Sequence, residues 1–152
     1  YFAYGSNLWE HQMRQRCPTS KAIGLAKLKG CRWFISETGS ANIEQDSEAE
    51  TFGFLYSIKP ADEAVLDSRE GVPDRHTKVV VVVSFWPDAT SEFAERKAQQ
   101  VEALVYIDRK NLQTGQPKKE YIYRMNQGIQ DAIAKGMPQE YVQDVMRKYI
   151  PE

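Results

Sequence analysis

Apolar residues along the chain fall first into short alternating or β-branched runs and only later into helical spacing. The opening run, Tyr1-Phe2-Ala3-Tyr4, predicts a short aromatic-rich strand that passes through Gly5-Ser6-Asn7 into a helix. That helix carries Leu8, Trp9 and Met13 at apolar positions, takes Asn7 as its N-cap and stops at Cys17-Pro18. Residues 22–28 and 31–35 read as two strands divided at Gly30, and 41–43 as a short return after Thr38-Gly39-Ser40. Residues 44–50 are acidic and lack a period, which predicts a solvated loop. From 51 to 58, large and small residues alternate around Gly53, the pattern of a core-facing strand with a bulge or a close backbone approach.

Pro60 with Asp62 and Glu63 close behind marks a helix start. Ala64, Val65 and Leu66 give that helix an apolar side, and it ends at Glu70, before Gly71 and Pro73. The five consecutive valines within 77–86 predict a buried central strand. The polar stretch 87–100 begins as a turn with a helical segment around 93–99, and 101–107 is the last strand, with Glu102 on a solvated face. Beyond it the period changes. Tyr121, Ile122, Met125, Ile129, Ala132 and Ile133 recur at helical intervals up to a C-cap at Gly136. Pro138 then opens a last helix carrying Tyr141, Val142, Val145, Met146 and Tyr149. Five or more strands followed by two helices, without regular β-α alternation, predict an α+β domain with a mostly antiparallel or barrel-like sheet.

Composition narrows the function classes. At 152 residues and 41% hydrophobic content, the chain fits one domain spanning 1–152 with a real core. Twenty Lys and Arg stand against 21 Asp and Glu, a net charge of −1, so no long-range field recruits nucleic acid or an anionic membrane. The pair Lys118-Lys119 is followed at once by Glu120 and reads as a solvated loop. Cys17 and Cys31 make no disulfide framework, and with His11 and His76 they show no metal-ligand spacing; reduced thiols and no metal are expected. The longest apolar run, 79–83, is too short to cross a bilayer, and no secretory segment is visible, which points to the cytoplasm. The chain begins without Met inside what reads as a strand, so residues upstream are compatible with it.

Familiar catalytic signatures are missing: there is no G-x-S-x-G elbow, Walker loop or dinucleotide fingerprint. Two stretches remain. In the first, Gly5 lets the backbone come close to a ligand, and the N–H groups of Gly5-Ser6-Asn7-Leu8 at a helix start form either an anion cradle or an ordinary turn. Ser6 as a nucleophile needs a base, and neither His11 nor His76 is tied to it by spacing; a backbone-donor role suits it better. The second stretch is Asp67-Ser68-Arg69-Glu70-Gly71-Val72-Pro73. A helix C-terminus disfavours another negative charge, so Glu70 is either solvated there or employed as a general base with its pKa raised toward neutrality.

Together these stretches resemble the γ-glutamylcyclotransferase family. Tyr4-Gly5-Ser6-Asn7-Leu8 is similar to the family's amino-terminal Y-G-S-N/x-L substrate loop, and Glu70-Gly71-Val72 to its E-G-V segment with the catalytic glutamate. Gly24-x-Ala26-x-Leu28, Trp33, Gly53-Phe54-Leu55-Tyr56, Tyr121-Ile122, Gly136-Met137-Pro138 and Tyr141 follow in the expected order, so the likeness covers essentially the whole chain. Relatives of this type often carry a tyrosine a few residues after E-G-V, where this chain has His76-Thr77.

The resemblance implies a small β-barrel flanked by helices, no cofactor, and conversion of a γ-glutamyl amino acid to 5-oxoproline and the free amino acid. It makes Glu70 the general acid/base and Tyr4, Gly5, Ser6, Asn7, Leu8 and Tyr121 substrate-binding residues. Tyr121 reads equally as the first apolar residue of a terminal helix, and the loop either holds the α-carboxylate or faces the oxygen that becomes negative on attack. Two alternatives stand beside this. One is the same chemistry on γ-glutamyl-amines or glutathione; the other is a small-molecule binding module without turnover, against which the retained Glu70 counts. Exposed apolar positions on the terminal helices are a candidate homodimer face, and they equally serve to seal the core.

Overall fold

In the computed structural model, which describes residues 1–87 and 97–152, five strands form one sheet: β1 (Phe2–Ala3), β2 (Lys21–Ile35), β3 (Ala41–Ser57), β4 (Thr77–Pro87) and β5 (Gln99–Ile107). Their order is β1-β3-β2-β4-β5, and every pairing is antiparallel. The described helices are α1 (Glu10–Arg16), α2 (Pro60–Glu70), α3 (Lys119–Ala134) and α4 (Gln139–Asp144), so the domain is α+β as expected.

The expected barrel is not closed. β1 and β5 are the two edges of the sheet, and among the described residues no backbone ladder joins them. They meet through side chains instead: the Tyr4 hydroxyl donates to the Tyr106 carbonyl at 2.6 Å, and the Tyr1 ring packs edge-on to Tyr106 at 5.7 Å. The reason lies in the length of β1. It pairs with β3 only at Phe2↔Leu55 and Ala3↔Phe54 before the chain turns away at Tyr4, leaving too little edge to bond a second strand.

Phe2, Leu8, Met13, Leu25, Phe54, Leu66, Met125 and Ile129 are among the core side chains fully removed from water. α3 lies close on the opening turn because Gly128 has no side chain: a Cβ there would stand 2.9 Å from the Leu8 Cβ and 3.0 Å from the Trp9 nitrogen. Gly53 plays a similar part in β3, where a Cβ would collide with the Ala3 carbonyl, so the close backbone approach expected at this glycine is present.

Several local expectations change. Gly30 does not divide two strands; it sits at a register irregularity within the 15-residue β2. Residues 44–50, expected as a loop, belong to β3. Two of their four carboxylates are met across the ladder, with the Arg32 Nε donating to Glu44 at 2.6 Å and Lys27 lying 3.3 Å from Glu50, and the acidic run does not prevent pairing. β4 is not the central strand, which is β2, but lies between β2 and the edge strand β5, and it is not buried on both faces: Val83 is fully buried, whereas Val80 and Val82 are 61% and 58% exposed. Of the helical segment expected around 93–99, residues 93–96 lie outside the described residues, and Gln99 already starts β5.

Candidate active site

The position of Glu70 is set by how α2 is fastened at both ends. At its start, Asp62 is buried and accepts the Lys59 N–H at 2.9 Å and the Thr19 hydroxyl at 2.7 Å. One turn before Glu70, Asp67 accepts the Tyr106 hydroxyl at 2.7 Å and Lys78 Nζ at 2.9 Å, and Lys78 also reaches Glu63 at 2.6 Å. Burial opposes the charged form of Asp67, but the bonds from Lys78 and Tyr106 outweigh it and hold the carboxyl below its usual range. α2 is thereby tied to both β4 and β5.

At the C-terminus of α2, Gly71 takes a left-handed conformation, φ 68° and ψ 44°, and the Val72 N–H returns to the Asp67 carbonyl at 3.0 Å. The chain then doubles back, and two cationic-type side chains cap the last carbonyls. The Arg75 guanidinium donates to the Arg69 carbonyl. His76 Nδ1 donates to the Glu70 carbonyl at 2.7 Å and lies 3.5 Å from Glu70 Oε2.

The loop after β1 closes as a 3-10 turn over Ser6–Leu8, with the Leu8 N–H on the Gly5 carbonyl and the Trp9 N–H on the Ser6 carbonyl, both at 3.0 Å. Asn7 is not the cap of α1: that position belongs to Trp9, which makes no side-chain cap bond. Its amide is taken up elsewhere, donating to the Tyr1 hydroxyl at 2.9 Å and accepting Gln12 at 2.9 Å and Arg16 at 3.0 Å. Leu8 does not line the cavity; its backbone donor is spent within the turn and its side chain is buried against α3. Ser6 Oγ accepts Gln12 Nε2 at 3.1 Å and Arg124 Nη1 at 3.2 Å, while His76 is engaged with Glu70.

Gly5 leaves space, but the chain's own hydroxyl takes part of it. A Cβ at Gly5 would stand 2.9 Å from Tyr121 Oη and 3.3 Å from the Ala41 Cβ. Tyr121 Oη accepts the Ala41 N–H at 3.1 Å. Burial pushes the Tyr121 pKa up, against backbone donors that favour the phenolate, so its O–H is retained as a donor.

Tyr4, Gly5, Ser6, Asn7, Glu70 and Tyr121 line one cavity of about 380 Å³, a size in the usual range for small-molecule sites. Five Arg and Lys side chains share its wall with three carboxylates, so the local charge is positive although the whole chain is nearly neutral. Arg16 is half-buried among these cations; burial, then Arg69 and Arg124, lower its pKa. Arg69 and Arg124 had a detectable signal: one precedes Glu70, and the other follows Tyr121 by three residues on the same helix face. Arg16 and Asp108 had none, because only tertiary folding brings them to the cavity.

A model of the AIG2-like family matches residues 50–145, well over half of the chain. The chain belongs to the AIG2-like family. The matched segment contains Glu70, His76 and Tyr121, and the loop at Tyr4–Leu8 precedes it. No curated protein sequence matches this AIG2-like chain at a significant level. Among solved structures, an uncharacterized protein from Homo sapiens is similar at TM-score 0.78 and 22% identity, over 95% of this chain and 83% of its own. A γ-glutamyl cyclotransferase is similar at TM-score 0.74 and 22% identity, with the same coverage of 95% and 83%. YkqA from Bacillus subtilis is similar at TM-score 0.73 and 22% identity over 100% of this chain, which spans 55% of that protein. The AIG2-like chain thus has the γ-glutamyl cyclotransferase-like fold, with an open sheet.

Proposed function

We propose that this AIG2-like domain is a γ-glutamyl cyclotransferase acting on γ-glutamyl amino acids. One observation carries the reading: the Glu70 carboxylate and the Tyr4–Asn7 loop face the same cavity, and the wall around them is rich in cations. A γ-glutamyl amino acid brings two carboxylates, one on the glutamyl unit and one on the departing amino acid. A γ-glutamyl amine brings only the first, so the surplus of arginine favours the former.

The reaction needs a proton moved and a chain curled. The substrate's α-amine, with a reference pKa of about 7.7–8.0, is mostly protonated at neutral pH. The ammonium first gives one proton to water; the neutral nitrogen then attacks the γ-carbonyl carbon, and Glu70 accepts the second proton as the new C–N bond closes the five-membered ring. The old amide C–N bond then breaks, and Glu70 returns the proton to the departing nitrogen, giving 5-oxoproline and a free amine. The Tyr121 hydroxyl, neutral and beside Gly5, donates to the carbonyl oxygen as it becomes negative. Arg16 and Arg124, on either side of the loop, draw the substrate carboxylates and hold the curled geometry, an effect worth on the order of 7–11 kcal/mol in favourable intramolecular cases.

The test is a mass-spectrometric screen of γ-glutamyl dipeptides, γ-glutamyl-lysine and glutathione for 5-oxoproline release, run on the parent chain and Glu70→Gln. The dipeptides are expected to react fastest, and the variant to lose about 10²–10⁴-fold in kcat, the usual contribution of a positioned acid/base. A Gln variant as fast as the parent removes the assignment of Glu70; a parent that releases 5-oxoproline from none of the compounds removes the function.

A further inference from the structure

We propose that His76 is the positioning residue of Glu70, holding it at the helix end while the ring is neutral and weakening it as a base once the ring is protonated. The inference rests on the cyclotransferase reading above. It starts from the bond at 2.7 Å between His76 Nδ1 and the Glu70 carbonyl. A carbonyl oxygen only accepts, so Nδ1 carries a proton, and in the neutral ring the free lone pair is on Nε2. That bond secures the last peptide of α2, from which the Glu70 side chain springs, and does so where the helix leaves its carbonyls without partners.

The second distance separates positioning from quenching. At 3.5 Å, Nδ1 is too far from Glu70 Oε2 for a good hydrogen bond, so with a neutral ring the carboxylate is kept beside the imidazole but not tied to it. Protonation changes the pair. A full positive charge at that distance favours the carboxylate over the carboxylic acid and makes Glu70 a poorer proton acceptor. The two side chains are only 14% and 24% exposed, so water screens this charge incompletely.

Other charged groups bear on the ring. The Asp108 carboxylate, just past β5, is within electrostatic range of His76. Arg75 precedes it in the chain and is committed to the Arg69 carbonyl, and Lys110 reaches the Asp74 carbonyl at 2.6 Å.

Two substitutions test this. His76→Asn places an amide N–H near the position of Nδ1 but cannot titrate; His76→Phe keeps a ring and loses the donor. On γ-glutamyl-alanine, the Phe variant is expected to lose kcat by about 10–100-fold with KM unchanged, the size of effect that a displacement of about 1 Å at a catalytic group produces. The Asn variant is expected to recover most of that loss above pH 8, and its activity to persist to lower pH than the parent's. Thermal unfolding confirms that both variants are folded. NMR titration supplies a readout free of turnover: the His76 midpoint should fall when Glu70 is changed to Gln. A Phe variant with the parent's kcat, an Asn variant as slow as the Phe variant, or an acid limb common to parent and Asn variant overturns the role of His76 while leaving the cyclotransferase reading intact. No 5-oxoproline from the parent overturns both.

Discussion

Removing one oxygen, in Tyr121→Phe, separates what this residue does for the fold from what it does for the reaction. The ring is 5% exposed, and Arg124 lies over it with its guanidinium carbon 5.0 Å from the centroid; phenylalanine preserves both contacts. What is lost is the acceptor of the Ala41 N–H at 3.1 Å and of a backbone bond from Ser6, and Ala41 is itself buried at the first residue of β3. A buried donor left without a partner costs about 1–3 kcal/mol. In a domain of this size each kcal/mol shifts the melting midpoint by about 2–4 °C, so a fall of about 2–12 °C is expected. On the proposed function the catalytic effect is separate and larger: loss of a donor facing a developing oxyanion is expected to lower kcat by about 10²–10³-fold, equivalent to about 2.7–4 kcal/mol. Rates measured well below the midpoint, where the variant is folded, keep the two apart. A variant with the parent's kcat would show that Tyr121 only supports the β2–β3 hairpin. A variant with an unchanged midpoint would show that the bond to Ala41 contributes nothing to stability.

Gly5→Ala tests the same oxygen by displacement: its methyl would lie 2.9 Å from Tyr121 Oη, so one of them must shift, and a loss of about 10-fold in kcat is expected with the fold retained. The parent's kcat in this variant would mean that the hydroxyl has no set position. Acid stability should follow Asp62, Asp67 and Asp108, whose carboxyls all titrate below their ordinary value in the fold. In each case burial acts against the charge and hydrogen bonds prevail. Because their folded pKa values are depressed, their stabilisation is fully present above the unfolded value of about 3.9 and is lost as pH falls through the folded values. Urea midpoints should therefore be level above about pH 5 and fall steadily below about pH 4; a level profile down to pH 2.5 would contradict these bonding patterns.

What could be read from the sequence depended on how local the cause was. The bounds of α2 match the structure because Pro60 and Gly71 impose backbone geometry within a residue or two. Glu70 and the Tyr4–Asn7 loop could be singled out because each carries unusual residues in one short stretch, and the structure brings them to one cavity. The run of valines in β4 misled because β-branched residues report strand conformation more strongly than burial, and a continuous apolar run hides the alternation that leaves Val80 and Val82 outside. The acidic segment of β3 misled for the opposite reason: the carboxylates at its two ends, Glu44 and Glu50, are answered by Arg32 and Lys27 on β2. Asn7 has the identity of a helix cap, yet its amide meets Tyr1, Gln12 and Arg16, partners that only the folded chain supplies. Barrel closure is likewise a relation between distant edges, and two residues of β1 decide it.

Tyr106 gives the site a different kind of unity. Its hydroxyl holds Asp67, one turn from Glu70, while its carbonyl receives the hydroxyl of Tyr4 at the entrance to the loop. The span between the two motifs is therefore measured off by a third residue that belongs to neither. Transplanting both stretches onto another scaffold would carry the reactive groups without the ruler between them. Conversely, Tyr4 and Asp67 are the positions within the two motifs at which a substitution would release the bonds to Tyr106 and with them this spacing.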